Sequence, residues 1–257
     1  MKLFDLTDKT ILITGGYGYL GAAISAGLAE CQATVCVLGR SREKFERAFQ
    51  KKNMSIQFIE CDISETASIQ EAMSVALSQY GSLDVLINNA IYTQGSDPLG
   101  ISDEDWQYSV DGVLGSVYRC IREVSPYFMR QKSGSIINIA SMYGLVSPDF
   151  AVYEAAPEYL NPPHYGAAKA GVLQLTRYFS SYLGPSGVRV NSITPGPFPG
   201  LEGQENLAFI DALSQRTSLK RIGRPEELVG AAVYLSSRAS SYVTGQNLVV
   251  DGGWTTS

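Results

Sequence analysis

Seven short apolar segments, at residues 10–14, 34–38, 55–60, 84–88, 135–140, 188–194 and 247–250, recur along the 257-residue chain, with amphipathic helical patterns in most of the gaps. Strands separated by helices cannot close as hairpins, so this alternation dictates a parallel sheet with helices on both faces. The crossovers then run right-handed, and a ligand belongs at the carboxyl ends of the strands. The expected fold is a doubly wound α/β domain in three layers with a seven-stranded parallel sheet. No repeat, charge block or low-complexity linker divides the chain, which predicts one domain over 1–257. One stretch breaks the rhythm. Between Ser147 and Pro163, the residues Pro148, Asp149, Phe150, Tyr153, Glu154, Pro157, Glu158, Tyr159 and Pro162 favour an irregular loop.

The first strand runs directly into Gly15-Gly16-Tyr17-Gly18-Tyr19-Leu20-Gly21 and an Ala-rich helical stretch. Gly16, Gly18 and Gly21 satisfy G-x-G-x-x-G in the strand–turn–helix setting that a dinucleotide site requires. There the backbone can approach a pyrophosphate, and free N–H groups and the helix dipole meet its charge. A glycine-rich turn without ligand is the bland alternative. Further along, Ser141 closes an apolar run, and Tyr165-Gly166-Ala167-Ala168-Lys169 follows. Four residues apart on a helix, Tyr165 and Lys169 share a face, so the ammonium is expected to lower the phenol pKa into a useful range for proton transfer.

A net charge of −5 gives no electrostatic gain toward nucleic acid or an anionic membrane. Cys31, Cys36, Cys61 and Cys120 lack C-x-x-C spacing and read as buried free thiols rather than disulfides or a metal site, which suggests a reducing setting. With no basic-then-apolar leader over 1–14 and no run approaching a membrane span, the expectation is a cytoplasmic protein without a bound metal.

The glycine turn, Asp62, Asn88-Asn89-Ala90, Ser141, Tyr165 with Lys169, Pro195-Gly196, and the ending from Thr244-Gly245-Gln246 through Asp251-Gly252-Gly253 occur here in one order. Together they resemble the short-chain dehydrogenase/reductase family, single-domain branch, over nearly the whole chain. The resemblance implies a Rossmann-type fold and NAD(P)-dependent interconversion of an alcohol and a carbonyl. It makes Tyr165 the general acid or base, Ser141 the group that polarises the carbonyl, and Lys169 both a modulator of Tyr165 and a holder of the nicotinamide ribose. The turn residues Gly15, Tyr17, Gly18, Tyr19, Leu20 and Gly21 would carry the pyrophosphate. Asp62 and Ile63 would lie beside the adenine, Asn89 and Ala90 along its ribose, and Pro195, Gly196 and Phe198 against the nicotinamide.

In cofactors of this kind a carboxylate after the second strand selects NAD and an arginine accommodates the 2′-phosphate of NADP. The sequence there is Val37-Leu38-Gly39-Arg40-Ser41-Arg42, so Arg40, with Ser41 and Arg42 assisting, favours NADP, with NAD the alternative. Three departures from the family pattern stand out. Tyr19 replaces an expected glycine, giving the spacing of the longer sugar-nucleotide branch. Asp111 stands where an asparagine usually completes a catalytic tetrad, and its charge is expected to rewire the relay or steady the Lys169 cation. Ser141 and Tyr165 are about twice as far apart as usual, so 147–163 must loop out near the substrate mouth, where its carboxylates and phenols suggest polar recognition; Glu154 and His164 are candidate contacts, although the lone His164 is favoured as a packed or solvated loop residue.

The thread Val146-Ser147-Pro148-Asp149-Phe150 with Asn161-Pro162-Pro163 is similar to oxidoreductases of bacterial surface-sugar pathways. That implies a hydroxyl or ketone on a sugar, sugar phosphate or sugar nucleotide, with Arg177, Lys220 or Arg221 available to a phosphate. A 3-oxoacyl or polyol substrate competes. A non-catalytic dinucleotide-binding protein, suggested by Asp111 and Gly200, and a sugar-nucleotide epimerase are the readings from other classes. The resemblance also implies a homo-oligomer, tetramer or dimer, through helices near 105–130 and 165–184 and the strand ending near Asp251. Residues 197–217, with Pro197, Pro199, Gly200 and Gly203, are the expected lid over substrate.

Overall fold

The computed structural model describes residues 2–50, 55–154 and 156–256. Its strands are β1 Thr10–Thr14, β2 Thr34–Gly39, β3 Ile56–Glu60, β4 Val85–Asn88, β5 Gly134–Ile139, β6 Val188–Pro195 and β7 Asn247–Val250. Every bound lies within one residue of the expected one. All neighbours pair in parallel in the order β3-β2-β1-β4-β5-β6-β7. The order reverses between β1 and β4, which opens the crevice at their carboxyl ends.

Period-two alternation divides the strand side chains between two cores. Leu12, Leu38, Leu86, Ile136 and Val190 face α3 (Thr66–Tyr80), α5 (Ser116–Gln131) and α6 (Pro163–Leu183), meeting Ile69, Met73, Ile121 and Val172. Ile13, Val35, Val37, Ile87, Ile137 and Ile193 face the other way, toward Ile24 and Leu28 of α1 (Tyr19–Glu30) and Leu235 near the C-terminus. Each fully buried aliphatic of this kind contributes about 1.5–3 kcal/mol. No helix among the described residues is long and apolar enough to cross a membrane. Cys36, Cys61 and Cys120 are buried free thiols, and burial pushes Cys36 up to about 12 and Cys61 to about 11.

The 147–163 stretch is more ordered than its composition predicts. It forms 3₁₀ turns at Phe150–Tyr153 and Pro157–Tyr159 before Pro163 opens α6, at the helix position that tolerates proline best. Val152 and Tyr153 are buried in a third cluster with Tyr143, Phe209, Leu213 and Trp254, and the Tyr159 ring stacks on Phe209 at 5.1 Å. Aromatic side chains whose apolar bodies find partners thus fasten the insertion over one end of the sheet.

Candidate active site

At the end of β1 the chain turns through Gly15, whose φ of +62° suits glycine. Gly21 lies so close that a Cβ there would sit 2.8 Å from Asn89 Nδ2. Gly18 is the N-cap of α1 and offers no side-chain cap, so no described side chain meets the amides of that first turn. Asn89 fixes this cradle: Nδ2 donates to the carbonyls of Thr14 (3.0 Å) and Gly15 (3.1 Å), while the amides of Asn89 and Ala90 donate to Thr14 Oγ1. Asn89 Nδ2 and the amides of Asn89 and Ala90 therefore hold the turn in shape. The cradle that a Cβ would fill, and its uncapped amides, fit a dinucleotide pyrophosphate.

After β2, Tyr17 Oη accepts from the amides of Arg40 (3.2 Å) and Ser41 (3.3 Å). Ser41 Oγ caps α2 (Arg42–Phe49), and the Arg42 guanidinium lies 4.9 Å from the centre of the Phe58 ring, so both have structural work. Arg40 is left extended, 70% exposed and loosely paired with Asp62 at 3.8 Å. Burial pushes the Asp62 carboxyl up, but hydrogen bonds from Ser64, with Arg40 and Arg119, hold it below its ordinary value. Ile63 is buried, and its carbonyl accepts from Arg119 Nε at 3.1 Å.

Ser141 follows β5 and caps the turn Met142–Gly144. This turn lies against α6 so tightly that a Cβ on Gly144 would come within 2.8 Å of the Lys169 carbonyl carbon. That approach sets Ser141 beside Tyr165. Lys169 is 3% exposed and its Nζ donates to the Ile139 carbonyl at 2.5 Å, one residue beyond the last β4–β5 pair. Nζ is 5.7 Å from the centre of the Tyr165 ring. The expected lowering of the Tyr165 phenol is not found: burial pushes it up, against a hydrogen bond with Ser141. Burial also brings Lys169 down to about 7.

Asp111 corrects a second expectation. The helix Asp103–Val110 (α4) opens into a π turn over Asp111–Gly115 before α5, the kind of local widening found at functional sites. The Asp111 carboxylate does not reach Lys169; it takes both Arg119 nitrogens at 2.8 Å and the Tyr92 hydroxyl. The Arg119 hydrogen bonds hold its carboxyl below the ordinary range, against burial. The charge expected to steady Lys169 is spent on an arginine.

A cavity of about 460 Å³ lies over the carboxyl ends of β5 and β6. Of the residues singled out from sequence for catalysis or cofactor binding, it brings together Leu20, Asn89, Ser141, Tyr165, Lys169, Pro195, Gly196 and Phe198, and Pro197, Pro199, Gly200 and Gly203 of the expected lid line it as well. Glu154 is exposed and does not line it. His164 is fully buried, with Nε2 3.2 Å from the Gly95 carbonyl and its ring against Trp106, so it fastens a loop and is no substrate contact. Arg177 bonds Gln174, Lys220 bonds the Gln215 carbonyl and Arg221 clamps Glu227, all outside the cavity lining. Tyr153, Tyr159 and Asn161 of the 147–163 loop line it too, as a loop near the substrate mouth should, and the polar lining residues that sequence reasoning missed are Tyr143 and Glu202.

The segment after β6 forms α7 (Leu201–Glu205) and α8 (Leu207–Arg216). Two of its ties reach across the cavity mouth: Tyr159 Oη donates to the Glu202 carbonyl at 3.2 Å, and Gln204 Nε2 donates to Tyr19 Oη at 2.7 Å. Tyr19, in place of a glycine, thus reaches from the cofactor turn to the expected lid. Tyr19→Phe removes the second tie, and limited proteolysis within 197–217 will run several-fold faster than in the parent, as the loss of about 1 kcal/mol per hydrogen bond requires. An unchanged cleavage rate would show that the tie does not hold the segment.

Fold and site together define an oxidoreductase that works with a nicotinamide dinucleotide. Residues 19–255 match the family model described as enoyl-(acyl carrier protein) reductase. The chain is 34% identical to the 3-oxoacyl-(acyl-carrier-protein) reductase FabG of Chlamydia muridarum over 96% of its own length and 98% of that protein's. It is 31% identical to a probable galactose dehydrogenase of Rhizobium meliloti, over 97% and 96% of the two lengths. Among solved structures, a gluconate 5-dehydrogenase from Burkholderia cenocepacia in complex with NADP and tartrate superposes with a TM-score of 0.88 at 30% identity, over 100% and 98% of the two chains. The chain belongs to the short-chain dehydrogenase/reductase family, and it is an NAD(P)-dependent enzyme acting on CH–OH and C=O groups.

Proposed function

We propose that this enzyme interconverts a secondary alcohol and a ketone on a small, polar, sugar-derived molecule, using NADP(H) in preference to NAD(H). The observation that carries this reading is the convergence of Ser141, Tyr165 and Lys169 on one cavity beside the glycine cradle. A nicotinamide dinucleotide held by its pyrophosphate in that cradle would supply or accept the hydride. Tyr165 Oη, kept protonated by burial, delivers a proton to the carbonyl oxygen in reduction and takes it back in oxidation. Ser141 Oγ donates to the same oxygen and steadies the charge that develops there. Lys169, brought near neutrality, exchanges its proton around pH 7, as suits the group that restores Tyr165. Asp111 acts at a distance, holding Arg119 and Tyr92 at the π turn. The sugar-derived substrate is favoured over an acyl chain by the polar lining at Tyr153, Asn161 and Glu202.

Preference for NADP rests on Arg40, the one member of the Arg40-Ser41-Arg42 set without a structural engagement beyond a loose ion pair. Arg40→Ala will weaken NADPH binding by about 10–100-fold, the worth of a hydrogen-bonded charge, and leave NADH binding within twofold. Titration by nicotinamide fluorescence measures both; a parent protein that binds NADH more tightly would reverse the assignment. Exposed Tyr118, Tyr178 and Tyr182 on α5 and α6 support a homo-oligomer formed through those helices, and the buried thiols suit the reducing cytoplasm.

A further inference from the structure

The turn after β5 and the 147–163 segment place three polar side chains on the cavity wall that the proton chemistry above does not use. Tyr143 Oη lies 2.5 Å from Tyr153 Oη, and Asn161 Nδ2 donates to Tyr153 Oη at 3.2 Å. All three line the cavity with Tyr165. Both phenols are buried, with Tyr143 edge-on to Trp254 and Tyr153 against Phe209, so their hydroxyls are fixed in place.

A count of protons defines what they offer. Two phenols carry two O–H protons, and the link between them uses one. Tyr153 Oη already accepts from Asn161, so whichever phenol donates across the link, the other keeps an O–H with no partner among the described residues. Burial pushes both phenols up, so neither sheds that proton. Asn161 Oδ1 likewise receives no hydrogen bond from a described residue. A spare donor beside a spare acceptor matches a hydroxyl group, which accepts the first and donates to the second. Charge narrows the ligand further. Among the described residues lining the cavity, Lys169 carries the only cationic side chain, and Nζ is held by Ile139. Nearby, Arg216 is met by Asp149 at 2.9 Å and Arg221 by Glu227. A carboxylate or phosphate would enter without a counter-charge, beside Glu202.

We propose that Tyr143, Tyr153 and Asn161 form a subsite for a hydroxyl group close to the reacting carbon, so that the substrate is a neutral hydroxy ketone or the corresponding diol. The assignment rests on the alcohol/ketone reading of the site and commits it to a substrate class. It sets this chain apart from a dehydrogenase of sugar acids or sugar phosphates.

Hydroxyacetone, 2-butanone and pyruvate test it, because they are near in size and put a hydroxyl, a methyl or a carboxylate function in the same place. With NADPH, kcat/KM for hydroxyacetone will exceed that for each of the others by about 100-fold or more, because a site built to bond a hydroxyl rejects the analogue that lacks it. Tyr153→Phe and Asn161→Ala will each lower the hydroxyacetone value by about 10-fold or more and shift the 2-butanone value less than threefold. Unchanged NADPH affinity shows that a variant is folded; should Tyr153→Phe fail to hold cofactor, Asn161→Ala carries the comparison. Equal use of hydroxyacetone and 2-butanone, equal losses on both in the variants, or preference for pyruvate would overturn the subsite and leave the oxidoreductase reading standing. Consumption of neither NADPH nor NADH with any carbonyl compound would overturn both.

Discussion

Tyr165→Phe will lower kcat by about 10³-fold, within the 10²–10⁴ that a positioned acid–base group supplies, while NADPH affinity changes by less than threefold. The ring remains and keeps its packing against the Tyr143 and Phe209 cluster, so the fold has no reason to yield. What disappears is one O–H at the place where Ser141 already bonds it. Without that proton the oxyanion formed by hydride arrival has only the Ser141 hydroxyl to neutralise it, and one neutral donor does not replace a proton. Steady-state rates and nicotinamide fluorescence separate the two quantities. Turnover retained within tenfold would remove Tyr165 from the acid–base role. An equal fall in cofactor affinity would instead mark it as a binding residue.

The architecture was legible because both of its signals are local. Period-two apolar runs and the glycine turn depend on residues close in sequence, and every strand fell within one residue of its expected bounds. Ser141, Tyr165 and Lys169 were legible for a similar reason, since strand ends and one helix face place them. The electrostatics were not, because burial decides them. Nothing in Tyr165-Gly166-Ala167-Ala168-Lys169 says that Lys169 lies beneath the sheet edge with Ile139 as its partner. Asp111 and Arg119 are eight residues apart, about 12 Å of helix rise, a separation that ordinary side-chain pairing rules do not consider. Tyr92 comes from another segment altogether. Part of the cavity's polar wall failed to show for the same reason: Tyr143 and Glu202 meet Tyr153 and Asn161 of the 147–163 loop only through tertiary packing. Composition also drew attention to Glu154, which faces solvent, whereas His164 is sealed against Trp106, as its reading as a packed loop residue expects.

Lys169→Met will stabilise the cofactor-free enzyme at pH 6 and abolish its turnover. Burial lowers the Lys169 pKa from 10.5 to about 7. Below pH 7 the ammonium is charged in both folded and unfolded chains, so the folded state bears the full penalty of burying it. Between pH 7 and 10.5 the unfolded chain binds the extra proton, and stability therefore rises with pH; above 10.5 both forms are neutral and the penalty is gone. The displacement corresponds to a few kcal/mol at most, about 1.4 per unit of pKa, and the lost bond to the Ile139 carbonyl returns about 1 of it. Methionine keeps the unbranched shape and the helix propensity that α6 requires and carries no charge to desolvate. Thermal unfolding should then give the variant a midpoint several degrees higher at pH 6, at about 2–4 °C per kcal/mol, with the gap closing toward pH 10. A midpoint that falls equally at both pH values would mean that Lys169 is held as a favourable contact rather than tolerated for its chemistry. The opposite signs of the two effects are what a functional lysine in a dry site demands: the same burial that brings its proton into play near neutral pH is a standing cost to the fold.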